Sequence, residues 1–245
     1  MTGPTPPISR RALLDSLAGA TGLAGVAGLA VGAGGTALGY QLTTNPTPDA
    51  RLIPPPEDLM REHGVLKRVL LIYREARRRV TAGEPLPTAA VHDGAAVIRD
   101  YVEGFHEGLE GAHVFPRLRQ AGQLVDTVEV LLVQHARGRL VTANVIAATT
   151  GTRPLTGTSA HTVAAALDIF VRMYEPHEAR EDTVVFPTFR AITPPATLTA
   201  LGERFAQEGN RKFGTHGFTD TVDRVAAIEQ TLGINNLGQF TPAVP

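Results

Sequence analysis

Two stretches of this chain, HEGLEGAHVFP at residues 106–116 and HEAREDTVVFP at residues 177–187, share one pattern. Histidine, two glutamates, valine, phenylalanine and proline recur at the same six offsets, 71 residues apart. Each stretch follows a run with helical spacing of apolar residues, and proline disfavours continuation of a helix. The repeat therefore predicts two helices that each place the same polar groups just before a Phe-Pro stop.

The polar groups of each stretch share a helix face. Residues four apart on a helix lie nearly one above the other, so His106 and Glu110 point the same way, as do His177 and Glu181. A single pair of this kind is also produced by an ordinary ion pair along a helix. Its repetition on a second helix favours a shared site.

Apolar spacing predicts four helices, and no convincing strand pattern appears between residues 57 and 190. We expect an all-α fold, an antiparallel four-helix bundle with a C-terminal helical extension. The predicted helices cover about residues 57–80, 88–116 or a little beyond, 123–148 and 160–182.

The chain divides into four segments by composition. We expect a signal or anchor segment at residues 1–42, a proline-rich linker at 43–56, the bundle at 57–190 and the extension at 191–245. Two shorter helices are predicted within the extension, at about 198–208 and 219–232, and Gly233 is expected to end the second one.

Two further histidines lie on the apolar stripes of their helices, His63 on the first and His135 on the third. Each of the four helices thus points a histidine inward, and two add a carboxylate. Burying these groups without a partner would cost many kcal/mol, whereas a bound cation accepts a lone pair from each. Imidazole and carboxylate without thiolate suit iron, manganese or zinc, and this number of ligands suits two ions better than one.

These positions resemble the hemerythrin-like domain, also called the HHE cation-binding domain. That family carries a histidine on the first helix, His-x3-Glu and Phe-Pro on the second, a histidine on the third and His-x3-Glu on the fourth. The resemblance implies a non-haem centre of two iron ions bridged by carboxylates, with Glu107 as a possible extra ligand. The metal ligands implied here are His63, His106, Glu110, His135, His177 and Glu181, of which Glu110 and Glu181 are the bridging candidates.

One position departs from the oxygen-carrying members of the family. They have a second histidine four residues after the one on the third helix, where this chain has Arg139. Since arginine is not a metal ligand, one ion is left with an open position, and reversible oxygen carriage is disfavoured. We expect reaction with oxygen or peroxide, or iron binding, and we expect the Arg139 head group to turn away or pair with an acidic residue.

Two other classes of protein stay open at this point. A ferritin-like carboxylate oxidase or iron store uses Glu-x2-His on two helices; Glu110 and His113 fit once, but Val184 stands where the second histidine is needed. The second class is a metal-free helical interaction domain. The colour and the metal content of the purified protein would distinguish it from a metal-binding protein. We interpret His92, His161 and His216 as surface, cap or loop residues.

The composition excludes several functions. The chain has 245 residues, a net charge of −1 and no cysteine, so disulfides and thiolate metal sites are excluded. No basic stripe predicts a nucleic-acid partner, and neither a glycine-rich phosphate loop nor a Gly-x-Ser-x-Gly motif is present. The expected partner is a small molecule such as oxygen or peroxide.

The N-terminus resembles a twin-arginine export signal. Arg10 and Arg11 precede a weakly apolar stretch rich in glycine and alanine, at residues 17–38. We expect export by a Tat-like route to the periplasm, cell envelope or medium. Contact with a membrane is expected only through this segment, if it is not cleaved.

Overall fold

The computed structural model describes residues 52–151 and 154–244, and this part of the chain forms six helices. It contains no strand, only an isolated bridge between Leu86 and Leu155. The all-α prediction is confirmed. The helices are α1 (Pro55–Thr81), α2 (residues 88–120), α3 (Val125–Thr149), α4 (residues 157–192), α5 (Pro195–Phe213) and α6 (Gly217–Leu232).

Helices α1 to α4 form a closed ring. α1 packs against α2 and α4, and α3 packs against the same two helices from the other side. The apolar stripes meet in a core that includes Leu59, Leu66, Val128, Leu167 and Phe170, each at most 1% exposed. This arrangement turns one face of every bundle helix toward a common interior.

The C-terminal helices cover one side of this ring. α6 packs against α1 and α2, and α5 contacts α1 and α6. As predicted, Gly233 ends α6: it takes a left-handed conformation at φ 72°, and the N–H of Ile234 donates to the carbonyl of Glu229.

The predicted Phe-Pro stops are wrong. α2 continues through Pro116 to Gln120, and α4 continues through Pro187 to Ile192. A π-helical turn precedes each proline and restarts the hydrogen-bond register, so that the missing N–H falls in the first turn of the next helical segment. In chain order, α2 consists of α-helix Thr88–Val97, π turn Ile98–His106, α-helix Glu107–Leu109, π turn Glu110–Val114 and α-helix Phe115–Gln120. In the same way, α4 consists of α-helix Gly157–Arg180, π turn Glu181–Val185 and α-helix Phe186–Ile192.

The predicted signal at residues 1–42 lies outside the described residues, as does the linker before Leu52. Among the helices that the structure describes, none is both long and apolar enough to cross a membrane.

Candidate metal centre

The six predicted ligands converge in the bundle interior. His63 comes from α1, His106 and Glu110 from α2, His135 from α3, and His177 and Glu181 from α4. All six are buried, with residue exposures between 0 and 4%. The structure therefore brings together the complete set that the sequence pattern indicates, and its role in binding metal stays a prediction.

The ligand atoms form two groups that share a carboxylate. One group contains His63, His106, Glu110 and Glu181; the other contains His135, His177 and Glu181. Within each group the candidate donor atoms lie within 4.8 Å of one another.

Short distances connect the two groups. Glu181 Oε2 lies 3.3 Å from His63 Nε2 and 3.1 Å from His177 Nε2, so it faces an imidazole of each group. Glu110 does the same: its oxygens lie 3.6 Å from His106 Nε2 and 3.5 Å from His135 Nε2. Each of the two carboxylates therefore lies between an imidazole of one group and an imidazole of the other.

Five atoms of the predicted ligands have no hydrogen-bond partner among the described residues of the protein. Both oxygens of Glu110, both oxygens of Glu181 and Nε2 of His106 are buried without a hydrogen bond in the described part of the chain. Leaving a buried polar atom unpaired costs about 1–3 kcal/mol, and more for a charged group. A cation between these atoms removes that cost, so the residues present fit a metal centre.

The outer nitrogen of three of the four imidazoles lies within hydrogen-bond distance of a polar side chain from another helix. His63 Nδ1 lies 2.7 Å from Asp182 Oδ1, His106 Nδ1 lies 2.9 Å from Glu62 Oε2, and His177 Nδ1 lies 2.8 Å from Gln134 Oε1. These acceptors favour the tautomer with the proton on Nδ1, which leaves the Nε2 lone pair for the interior.

The helical pattern did not single out these three partners, although the sequence carries a signal for them. Each of them directly neighbours in sequence a predicted ligand on its own helix: Glu62 precedes His63, Gln134 precedes His135, and Asp182 follows Glu181. A step of one residue turns about 100° around a helix. The neighbour of one ligand therefore reaches the ligand of the adjacent helix.

The electrostatics of the centre depend on burial and on close neighbours. Burial and the nearby His177 lower the pKa of His135 to about 3, and burial and His63 lower the pKa of His106. Both imidazoles are thus neutral and able to donate a lone pair at neutral pH.

The remaining groups of the centre shift in different directions. Burial lowers the pKa of His63, but its hydrogen bond with Asp182 and the nearby carboxylate of Glu181 outweigh burial and raise it to about 9. Burial and the charge of Glu181 raise the pKa of Glu110. Burial acts on Glu181 in the same direction, but His177 and His63 outweigh it and lower the pKa of this carboxyl. A cation between Glu110 and Glu181 would allow both to ionise together.

Glu107 lies beside the centre with its carboxylate turned to other partners. Oε2 accepts a hydrogen bond from Arg139 Nη2 at 2.5 Å, and Oε1 accepts one from the Tyr174 hydroxyl at 2.7 Å. Oε2 also lies 3.8 Å from His135 Nδ1. The expectation that Arg139 pairs with an acidic residue is confirmed, while the possible role of Glu107 as a ligand stays a prediction.

Two of the three π-helical turns in the described residues begin at the candidate bridging residues, one at Glu110 and the other at Glu181. A π turn widens the helix locally and is often found at functional sites. Here it changes the register between each carboxylate and the Phe-Pro that follows. The repeated sequence therefore corresponds to a repeated local distortion.

The other histidines lie apart from this cluster. His113 Nε2 lies 3.7 Å from Glu208, and its ring lies 5.5 Å from that of Phe205, so it does not complete the ferritin-like pattern. His92 contacts Thr149. His161 and His216 are exposed, and His216 is the N-terminal cap residue of α6.

Comparison with known proteins agrees with this geometry. The profile of the hemerythrin HHE cation binding domain matches residues 55–189, and the chain belongs to this family. Uncharacterized proteins of Mycobacterium bovis and of Mycobacterium tuberculosis are 45% identical over 242 residues, which cover 98% of this chain and 94% of each relative. No solved structure gives a significant match.

Proposed function

We propose that this chain is a non-haem di-iron protein that reacts with oxygen or peroxide outside the cytoplasm. Membership of the hemerythrin HHE family indicates a metal-binding helical protein. The identity of the metal, the number of ions and the location are the steps that this proposal adds.

The proposal rests on the position of Glu110 and Glu181. Each of these carboxylates faces one imidazole of each group, and all four of their oxygens are buried without a protein hydrogen bond. A single ion would leave part of this set unpaired. Two ions, one held by His63 and His106 and the other by His135 and His177, use every member. Nitrogen and oxygen ligands in this proportion suit iron, with manganese or zinc as alternatives.

Neighbouring side chains orient the imidazole ligands and exclude water from the centre. Glu62, Gln134 and Asp182 hold three of the imidazoles with Nε2 directed inward. Phe186 stacks on His63 at 5.5 Å, and Phe115 lies 5.7 Å from His135, so apolar rings cover the centre on two sides. When bound, iron supplies redox chemistry with oxygen or peroxide.

Arg139 favours reaction over oxygen carriage. Its guanidinium is always protonated and is held by Glu107, so α3 contributes one imidazole to the centre rather than two. An ion with fewer protein ligands keeps a position open for a small molecule. We infer that the partner is oxygen or peroxide, and that the Arg10 and Arg11 pair directs export.

Oxygen and peroxide consumption test the proposal. Iron-loaded protein, reduced without oxygen, is mixed with dissolved oxygen or with hydrogen peroxide, and the loss of each oxidant is recorded. We expect loss of at least one oxidant and no recovery of oxygen on evacuation. His177→Ala should abolish the loss, whereas His161→Ala, at an exposed histidine of the same helix, should not change it.

Two results would contradict the proposal in different ways. If evacuation returned the oxygen taken up, the protein would be an oxygen carrier despite Arg139. If iron were bound and neither oxidant were consumed, the protein would hold iron without this chemistry.

A further inference from the structure

A cavity of about 350 Å³ lies where the C-terminal helices meet the bundle. Its wall is formed by α1 and α2 on one side and by α5 and α6 on the other. Binding sites for small molecules have volumes of about 300–1,000 Å³, so this cavity is large enough for a molecule built on one aromatic ring. It lies outside the set of predicted metal ligands.

Aromatic rings form much of the cavity wall. Tyr101 and Phe105 from α2 meet Phe213 from α5, with ring centres 5.4–5.8 Å apart. Phe205 and Phe218 complete the aromatic lining. Such walls offer both ring faces and ring edges, the two surfaces against which another aromatic ring packs best.

A buried carboxyl group lines the same cavity. Glu62 is 3% exposed, and its Oε2 is engaged by Nδ1 of His106 at 2.9 Å. Its Oε1 has only a long contact, 3.4 Å from the hydroxyl of Tyr101. A carboxylate oxygen can accept two hydrogen bonds, so Oε1 is able to accept a donor from a molecule in the cavity.

The cation of the cavity wall is already engaged. Arg61 Nε donates to Asp58 Oδ1 at 2.6 Å, and its guanidinium lies 4.2 Å from the ring centre of Phe218. Arg61 therefore closes one rim with its charge balanced by Asp58. The interior offers an acceptor rather than a positive charge, which disfavours a carboxylate or phosphate ligand.

We infer that this cavity binds one small aromatic molecule that carries an O–H or N–H donor, with the chemistry of a simple phenol. Its ring packs against Phe105, Phe205 and Phe213, and its donor bonds to Glu62 Oε1. Glu62 then links the bound molecule to His106, because its other oxygen, Oε2, is engaged by His106 Nδ1. The cavity is built from side chains other than the predicted ligands, so the inference does not require that the metal proposal be correct.

Fluorine NMR with para-fluorophenol tests this inference on the full chain. We expect a saturable shift of the fluorine signal. para-Fluoroanisole, which has no donor, should bind about tenfold more weakly because it cannot donate a hydrogen bond to Glu62 Oε1. para-Fluorobenzoate, which is an anion, should show no saturable shift. Equal binding of the phenol and the anisole, or preferred binding of the benzoate, would overturn the inference.

Two matched alanine-to-leucine substitutions on α5 test where the molecule binds. Ala206 lines the cavity and Ala200 lies on the same helix outside it, and both are exposed. Ala206→Leu should raise the dissociation constant of para-fluorophenol about tenfold by filling the cavity mouth, the loss of roughly 1.4 kcal/mol. Ala200→Leu should leave it unchanged. Equal effects of the two variants would contradict the assignment.

Removal of metal separates this inference from the proposed function. A phenol can also coordinate iron directly, and in that case a chelator would abolish binding. We expect binding of para-fluorophenol to persist after chelation. Loss of the signal on chelation would overturn the cavity as its site while leaving the metal centre supported.

Discussion

Gly138 allows Tyr174 to hold Glu107 beside the centre, and Gly138→Ala tests how much this packing contributes to stability. Gly138 lies in the middle of α3 and faces the tyrosine ring. A Cβ atom at this position would overlap the Tyr174 hydroxyl and lie 2.9 Å from two ring carbons. Tyr174 is buried, stacks on Phe170 at 4.3 Å and donates to Glu107 Oε1 at 2.7 Å. The ring therefore cannot move without losing these contacts.

The size of the effect follows from three contributions. Overpacking a tight core costs about 1–3 kcal/mol, and loss of the hydrogen bond to the buried carboxylate costs about 1.5–3 kcal/mol. Replacing a mid-helix glycine by alanine stabilises the helix by about 1 kcal/mol, which offsets part of this cost. We expect Gly138→Ala to lower the free energy of unfolding by about 1.5–5 kcal/mol, which for a domain of this size lowers Tm by roughly 3–20 °C.

Denaturant unfolding with a double-mutant cycle measures this contribution. Tyr174→Phe removes the overlapping hydroxyl, so Gly138→Ala should cost less in that background, by about 1 kcal/mol or more. Gly64→Ala is the control, since Gly64 lies in α1 with no atom within 4 Å of an added Cβ, and it should be neutral or stabilising. The reasoning is refuted if Gly138→Ala costs the same in both backgrounds, or is as harmless as Gly64→Ala.

Three further predictions concern charge and location. Arg139→Ala removes the cation partner of Glu107 and should lower the free energy of unfolding by about 1–2 kcal/mol; unchanged denaturant curves would show that this ion pair contributes nothing. Burial raises the pKa of Glu103 to about 7 from 4.5, so the unfolded chain loses this proton at lower pH than the folded protein does. Stability should therefore fall as pH rises from about 4.5 to about 7, and Glu103→Gln should flatten that part of the pH profile; a profile identical to that of the unchanged protein would contradict this. Arg10→Lys combined with Arg11→Lys should leave the protein in the cytoplasm, and unchanged export in cell fractionation would refute the signal assignment.

The sequence was sufficient to predict the inner part of the site. Helical spacing places His63 and His135 on apolar stripes, and a four-residue step pairs His106 with Glu110, because these relations lie within single helices. The bundle fold follows from the same periodicity. These are local properties of the chain, and the structure reproduces them.

Contacts between helices could not be predicted in the same way. The hydrogen bond from His106 to Glu62 depends on the relative height and rotation of α1 and α2, which a single sequence does not specify. The Phe-Pro stops were wrong for a related reason: a π turn before Pro116 satisfies the backbone differently, and its stability depends on the packing around it. The cavity beside Glu62 likewise exists only after α5 and α6 have packed on the bundle.

Metal analysis tests the central claim most directly. The full chain, expressed with ample iron and purified without chelator, is analysed for transition metals, together with the paired variants His63→Ala/His106→Ala and His135→Ala/His177→Ala. The proposed centre predicts about two iron ions per folded chain, and a loss of at least one ion in each paired variant, by the number of imidazole and carboxylate ligands. A well-folded protein with no bound transition metal, or a metal content unaffected by both paired variants, would contradict it.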